Sequence, residues 1–213
     1  MNLNICHYIE QQADWPQSGR HIMAQFDDES IIVYQAYRPA IARHAVENQR
    51  FGGEFSYARM SWIKPNFLWM MYRAGWATKE GQEHILAVRL KRLFFEELLE
   101  NAVASSFGAS GFDSHETWSH AVAHSDVRLQ WDPDHHPNGN KLERRAIQLG
   151  LRGEMLNRYG SQEVLSIEDI TPFVIQQRQC LPGNLEELQM PSEQVFQPFS
   201  PKAAETVGCM PCQ

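Results

Sequence analysis

Residues 55–78, Phe55 to Thr78, read FSYARMSWIKPNFLWMMYRAGWAT. They hold three of the six tryptophans (Trp62, Trp69, Trp76), three of the eight methionines and two tyrosines. Arg59, Lys64, Arg73 and Lys79 lie in or just after the stretch, and no acid lies inside it. So apolar a segment, positive and without negative charge, suits either the floor of a core or the wall of an anion-binding pocket. Lys64 precedes Pro65 and is pushed towards extended geometry. Pro65 then starts a helix over Asn66 to Arg73, in which Phe67, Leu68, Met71 and Tyr72 recur at spacings of three and four. Gly75 is its natural C-cap. Trp69 and Arg73 fall one turn apart on one helix face, a cation–π spacing, with Trp62 within reach.

Upstream, Arg20 to Tyr37 reads RHIMAQFDDESIIVYQAY. Ile31, Val33, Gln35 and Tyr37 alternate with Ile32, Tyr34 and Ala36, and both faces are largely apolar. That pattern predicts a central strand buried on both sides. Pro39 opens a short helix that Gly52-Gly53 ends. Residues 1–19 read as a loose lead-in, with Trp15-Pro16 docking on the body.

Downstream, His84 to Leu90 predicts a strand. Phe94, Phe95, Leu98, Leu99, Ala102 and Val103 form one helical stripe. Asp113 and Glu116 have capping-box spacing ahead of a helix with Trp118 and Val122. Val127–Trp131 and Arg145–Leu151 predict an antiparallel pair around a loop over Asp132–Asn140, where Asn138-Gly139 signals a turn. A helix over Arg152–Tyr159, a short strand over Val164–Ile167, and a helix capped by Thr171 and running to Arg178 follow. From residue 179 on, Pro, Gln, Ser and Glu predict a disordered or surface-wrapping tail. The order is neither βα alternation nor all-β. It predicts one α+β domain over residues 20–178, a mixed or largely antiparallel sheet flanked by helices.

The chain has 213 residues, is 43% hydrophobic and carries a formal net charge of −7. That charge argues against a general nucleic-acid coat protein. Positive segments stand out against it: seven cations and two acids from Ser56 to Arg92, and five cations and two acids from Lys141 to Arg158. Such segments fit a local anionic ligand. No basic region followed by an apolar run opens the chain, and no run reaches the roughly 20 apolar residues of a membrane span. The expectation is a soluble cytoplasmic protein. Cys6, Cys180, Cys209 and Cys212 form no disulfide framework, and the Cys209–Cys212 pair lacks the second pair of a zinc ribbon.

Chemical signatures are mostly absent. The chain has neither a P-loop nor a dinucleotide fingerprint, and no nucleophile elbow. His115-Glu116 with His120 misses zincin spacing by one residue, and His120 with His124 has no third ligand in view. What remains is a distributed set of polar and aromatic groups on otherwise buried elements. Lys64, Arg73 and Arg145 would hold an anion, joined by Arg20; Trp62 and Trp69 would stack a planar ring. Tyr34, Gln35 and Gln148 would orient the reacting group, with Tyr37, Tyr72, Gln130 and Asp132 around them. Mutual satisfaction of these polar groups inside the fold is the competing explanation.

The runs DDESIIVYQAY, MSWIKPNFLWMMYRAGWATK, VRLQWDP and RAIQLGL together resemble a family of domains of unknown function found in bacteria and fungi. The resemblance covers residues 20–178 and implies no reaction. Phe26 stands where the family has tyrosine, and Gly52-Gly53 where it has a proline-rich turn. A second resemblance is architectural: the VYQAY strand and short helix are similar to the opening of the ADP-ribosyltransferase-like fold. It implies a cleft for NAD or another nucleotide. It also implies an Arg or His where Tyr34 or Gln35 stands, and a late-strand Glu where this chain has Gln148. A glutamine cannot act as that carboxylate. The expectation is a nucleotide- or NAD-binding enzyme, or a degenerate one. The alternative is a non-catalytic module binding RNA or protein through exposed tryptophans.

Overall fold

The computed structural model describes residues 3–181 and 183–209. In chain order its elements begin with β1 (Ile5–His7), α1 (Tyr8–Gln12), β2 (Gly19–Arg20), β3 (Ile22–Ala24), β4 (Ser30–Tyr37) and α2 (Pro39–Asn48). Next come β5 (Ser61–Ile63), α3 (Phe67–Ala74), β6 (His84–Lys91), α4 (Arg92–Glu100), β7 (Ala102–Ala104) and α5 (His115–His124). The remainder is β8 (Val127–His135), β9 (Lys141–Leu151), α6 (Gly153–Ser161), β10 (Val164–Asp169), α7 (Thr171–Arg178), β11 (Gln189–Pro191), β12 (Gln194–Phe196) and α8 (Pro201–Val207). The fold is α+β.

Two sheets carry the body. One has the order β10-β6-β4, antiparallel throughout. The other has the order β2-β9-β8-β7, with β5 also paired to β9. Strand β4 is buried on both faces, as its sequence requires, but β6 is the middle strand and β4 lies at the edge. Ile31 and Val33 join one core, with Leu86, Val88 and Leu90 of β6. This core continues into Leu129, Ile147, Leu149 and Leu151 of the second sheet and into α4. Ile32 and Tyr34 point the other way, into a second core with Phe67, Leu68 and Met71 of α3.

The two sheets meet at Lys64. β5 pairs with β9 from Ser61 to Ile63. The next residue turns to β4: the Tyr34 N–H donates to Lys64 O at 2.7 Å, and the Lys64 N–H donates to Tyr34 O at 3.3 Å. Pro65 fits here because its missing N–H is not needed by either sheet. Helix α3 follows, with Asn66 as N-cap accepting from the Trp69 N–H at 2.7 Å. Gly75 ends it with φ +57°, a left-handed conformation that a side chain would strain.

Several expectations fail for physical reasons. Helix α2 ends at Gln49, not at Gly52-Gly53: Gln49 takes φ +53° and its amide bonds the Val46 and Ile167 backbone. The stripe Phe94–Val103 breaks at Glu100, because Ala102–Ala104 pair in parallel with β8. Ser114, not Asp113, caps α5. Ile170, not Thr171, is the N-cap of α7. The Asp132–Asn140 loop is shorter than expected, since β8 continues to His135 before the turn.

The lead-in and the tail are both built in. Trp15 is buried, and its indole N–H donates to Glu193 O at 3.0 Å. β11 pairs with β1, and β12 with β3. Leu188, Met190, Phe196 and Ala203 are fully buried. The Glu193 carboxylate, also buried, accepts from the Phe67 N–H at 2.6 Å and the Asn66 amide at 3.2 Å, which pins the tail to the N-terminus of α3. The tail's polar composition hides these few apolar anchors. Cys212 lies outside the described residues. No helix among them is long and apolar enough to cross a membrane.

Candidate functional site

A cleft of about 420 Å³ opens over the junction of the two sheets. Strand β4 contributes Gln35 and Tyr37, β5 and its flanks Arg59, Ser61, Trp62 and Lys64, helix α3 Arg73, and the β8–β9 pair Gln130 and Gln148. A second hollow of about 410 Å³ shares the Tyr37, Arg59 and Ser61 wall and extends to Arg38, Glu54 and Ser56.

The floor is a closed polar network. The Gln35 amide donates to Ser61 Oγ at 2.8 Å and to Trp62 O at 3.1 Å, and its Oε1 accepts from the Tyr159 hydroxyl at 2.6 Å. The Tyr37 hydroxyl and Ser61 Oγ share a hydrogen bond at 2.9 Å. Burial pushes both tyrosine hydroxyls far above their ordinary pKa. Groups so satisfied hold a shape and are poor proton carriers at neutral pH. Trp62 lies against Gly150, where an added Cβ would come within 3.0 Å of the indole ring.

On the opposite wall, Gln130 and Gln148 face each other across β8 and β9. Both amides donate to Asp132, at 2.9 and 2.7 Å. Those two bonds fix the carboxylate and turn the glutamine heads towards it.

Lys64 differs from all of these. The residue is 4% exposed and lines the cleft, and its ammonium makes no hydrogen bond or ion pair among the described residues. Burial, reinforced by the nearby Arg73 guanidinium and only partly offset by Asp132, lowers its pKa to about 8. Arg59 and Arg73 lie exposed on the cleft rim, and neither forms an ion pair among the described residues. The cleft therefore presents three cations that make no ion pair among the described residues.

Not every expected residue converges here. Gln35, Tyr37, Trp62, Lys64, Arg73, Gln130 and Gln148 do, with Asp132 behind the glutamines. Tyr34 is fully buried on the far side of β4, edge-on to Phe67, and its hydroxyl has no partner. Alternation along the strand sends it there, so it cannot reach a ligand in this cleft. Trp69 is also buried and stacks on His135 and Tyr72, not on Arg73, so the Trp69–Arg73 cation–π pair does not form. Tyr72 is 45% exposed and lines a separate hollow beside His136 and Asn138. Arg20 and Arg145 are register partners on β2 and β9 and share a small cavity of about 200 Å³ with Ser105 and Ser106. Strand parity separates Arg145 from Gln148, three residues on. Trp69 and Trp76 are buried, while Trp62 is half-buried and faces the cleft, so the three tryptophans form no continuous exposed aromatic face.

Sequence reasoning missed Arg59, Ser61 and Gln82. Arg59 and Ser61 had a signal, as a cation and a hydroxyl interrupting the apolar stretch; Gln82 had none.

A search of the curated proteins finds no match. A family model described as a domain of unknown function, DUF4291, matches residues 21–196 and so covers both sheets except β2, together with the cleft and most of the built-in tail. The chain belongs to the DUF4291 family.

Proposed function

We propose that the cleft binds a phosphate-bearing ligand of the nucleotide class, with NAD-like molecules the best fit. The observation that carries this reading is Lys64, a residue 4% exposed whose side chain lines the cleft and makes no hydrogen bond or ion pair among the described residues. A buried charge with no partner costs stability. A bound anion supplies the missing partner and offsets that cost. Arg59 and Arg73 add forked donors suited to phosphate oxygens. Trp62 offers a ring face for a base. The volume lies in the range of small-molecule sites, about 300–1,000 Å³. The adjoining hollow, joined through Arg59 and Tyr37, gives room for a two-part ligand.

ADP-ribosyl transfer of the resembled kind needs a carboxylate where Gln148 stands. Asp132 is close but is held by two glutamine amides. The proposal is therefore one of binding, without that transfer.

Thermal unfolding against NAD, ADP-ribose, ATP, pyrophosphate and a short RNA tests it. A ligand at 100 times its Kd adds about 2.7 kcal/mol. That raises the midpoint by roughly 5–11 °C in a chain of this size. The expected result is a rise with a nucleotide diphosphate, lost in Arg73→Ala. A rise with RNA alone, or with none of the five, contradicts it.

A further inference from the structure

We infer that Lys64 is an imine-forming lysine, and that the nucleotide-class ligand of the cleft carries a carbonyl as well as its phosphates, as ADP-ribose does through a free anomeric carbon that opens to an aldehyde. The inference rests on the anion-binding reading above and adds the reacting group.

The chain has five lysines: Lys64, Lys79, Lys91, Lys141 and Lys202. The other four are exposed, and two of them, Lys91 and Lys202, face glutamates at 3.1 and 3.7 Å. Lys64 alone is buried, and it lines a cavity in which no acceptor among the described residues holds its protons. A desolvated amine next to a second cation is how a lysine becomes a nucleophile near neutral pH. The surroundings push the Lys64 pKa to about 8, so half of the amine is neutral at that pH, against about 0.4% of an ordinary lysine.

The step balances without an oxidant or a metal. The Lys64 nitrogen lone pair attacks the carbonyl carbon and a C–N bond forms. Both amine hydrogens leave with the carbonyl oxygen as water, and a C=N bond remains. Arg73 and Arg59 hold the phosphate while the amide and hydroxyl groups of Gln130, Gln148 and Ser61 border the reacting carbon.

Pyridoxal 5′-phosphate, an aldehyde carrying a phosphate, is the probe, used on the full chain at pH 8 with borohydride trapping and peptide mapping. The expected result is label on Lys64 at least about tenfold above any exposed lysine, from its larger neutral fraction. Pyridoxal, which lacks the phosphate, should label Lys64 much less. Label spread over the exposed lysines with Lys64 bare overturns the inference. So does a thermal midpoint raised by the probe without label on Lys64, although anion binding itself would then stand. Equal labelling of Lys64 by pyridoxal keeps the nucleophile and overturns its anionic substrate.

Discussion

Two buried cations, Arg144 on β9 and Lys64 just after β5, are treated in opposite ways. Arg144 is 3% exposed and fully partnered. Its Nε and Nη2 donate to the buried Asp134 carboxylate at 2.8 and 2.5 Å, its Nη1 donates to Pro16 O at 2.9 Å, and its guanidinium lies 4.8 Å from the Trp15 ring centre. Every polar edge has a use, and the result ties the N-terminal segment to the hairpin. Lys64 is as buried, and its ammonium has no such bond among the described residues. A buried charge with a full set of partners is a structural part. One without them, opening on a cleft, is half of an interaction whose other half is a ligand.

The largest expected effect breaks the structural half. Asp134→Ala strands Arg144 in the interior and should cost about 3–5 kcal/mol, read by denaturant unfolding. A loss below about 1 kcal/mol would place Arg144 among ordinary screened charges and dissolve the contrast.

Lys64→Met should act in the other direction. Its folded pKa is about 8 against an ordinary 10.5, which corresponds to about 3 kcal/mol of strain while the group is charged. The variant should therefore be more stable at pH 7 by up to about 3 kcal/mol, and should lose the ligand-induced shift. The sign with pH follows. Between pH 8 and 10.5 the unfolded chain binds the lysine proton more tightly than the folded one, so the wild type gains stability as pH rises. Measured as the difference between wild type and Lys64→Met, the gap should narrow across that window. A constant gap contradicts the account.

The smallest effect is at an exposed pair on the rim of the adjoining hollow. Arg38 and Glu54 meet at 2.7 Å but are each more than half exposed. Glu54→Gln should change stability by less than about 1 kcal/mol. A larger change would mean that solvent screening fails at the cleft mouth.

Much of this was legible in the residues. Alternation in Ile31–Tyr37 gives a strand buried on both faces, and Gly75 closes α3, although the helix begins at Phe67 with Asn66 as its cap and not at Asn66 itself. The weight of the stretch from Phe55 to Thr78 was also legible, because it holds both Lys64 and the helix beside it. Three things were not. The side of the sheet is a matter of parity: Tyr34 and Gln35 are neighbours in sequence but serve different cores, and Arg145 and Gln148 part for the same reason. The short strands β7, β11 and β12 depend on partners distant in sequence, so local pattern cannot show them. Trp69 stacks on His135, a residue 66 positions away, where only an (i, i+4) contact with Arg73 was visible.

The account stands or falls on the state of one amine. With ¹⁵N-labelled lysine, each of the five ammonium groups can be followed through a pH titration by NMR. One resonance, absent in Lys64→Met, should titrate near pH 8 in the free protein and move upward when pyrophosphate binds, because the anion stabilises the charged form. If all five titrate together near 10.5 with or without pyrophosphate, Lys64 is an ordinary lysine and the cleft is not an anion site.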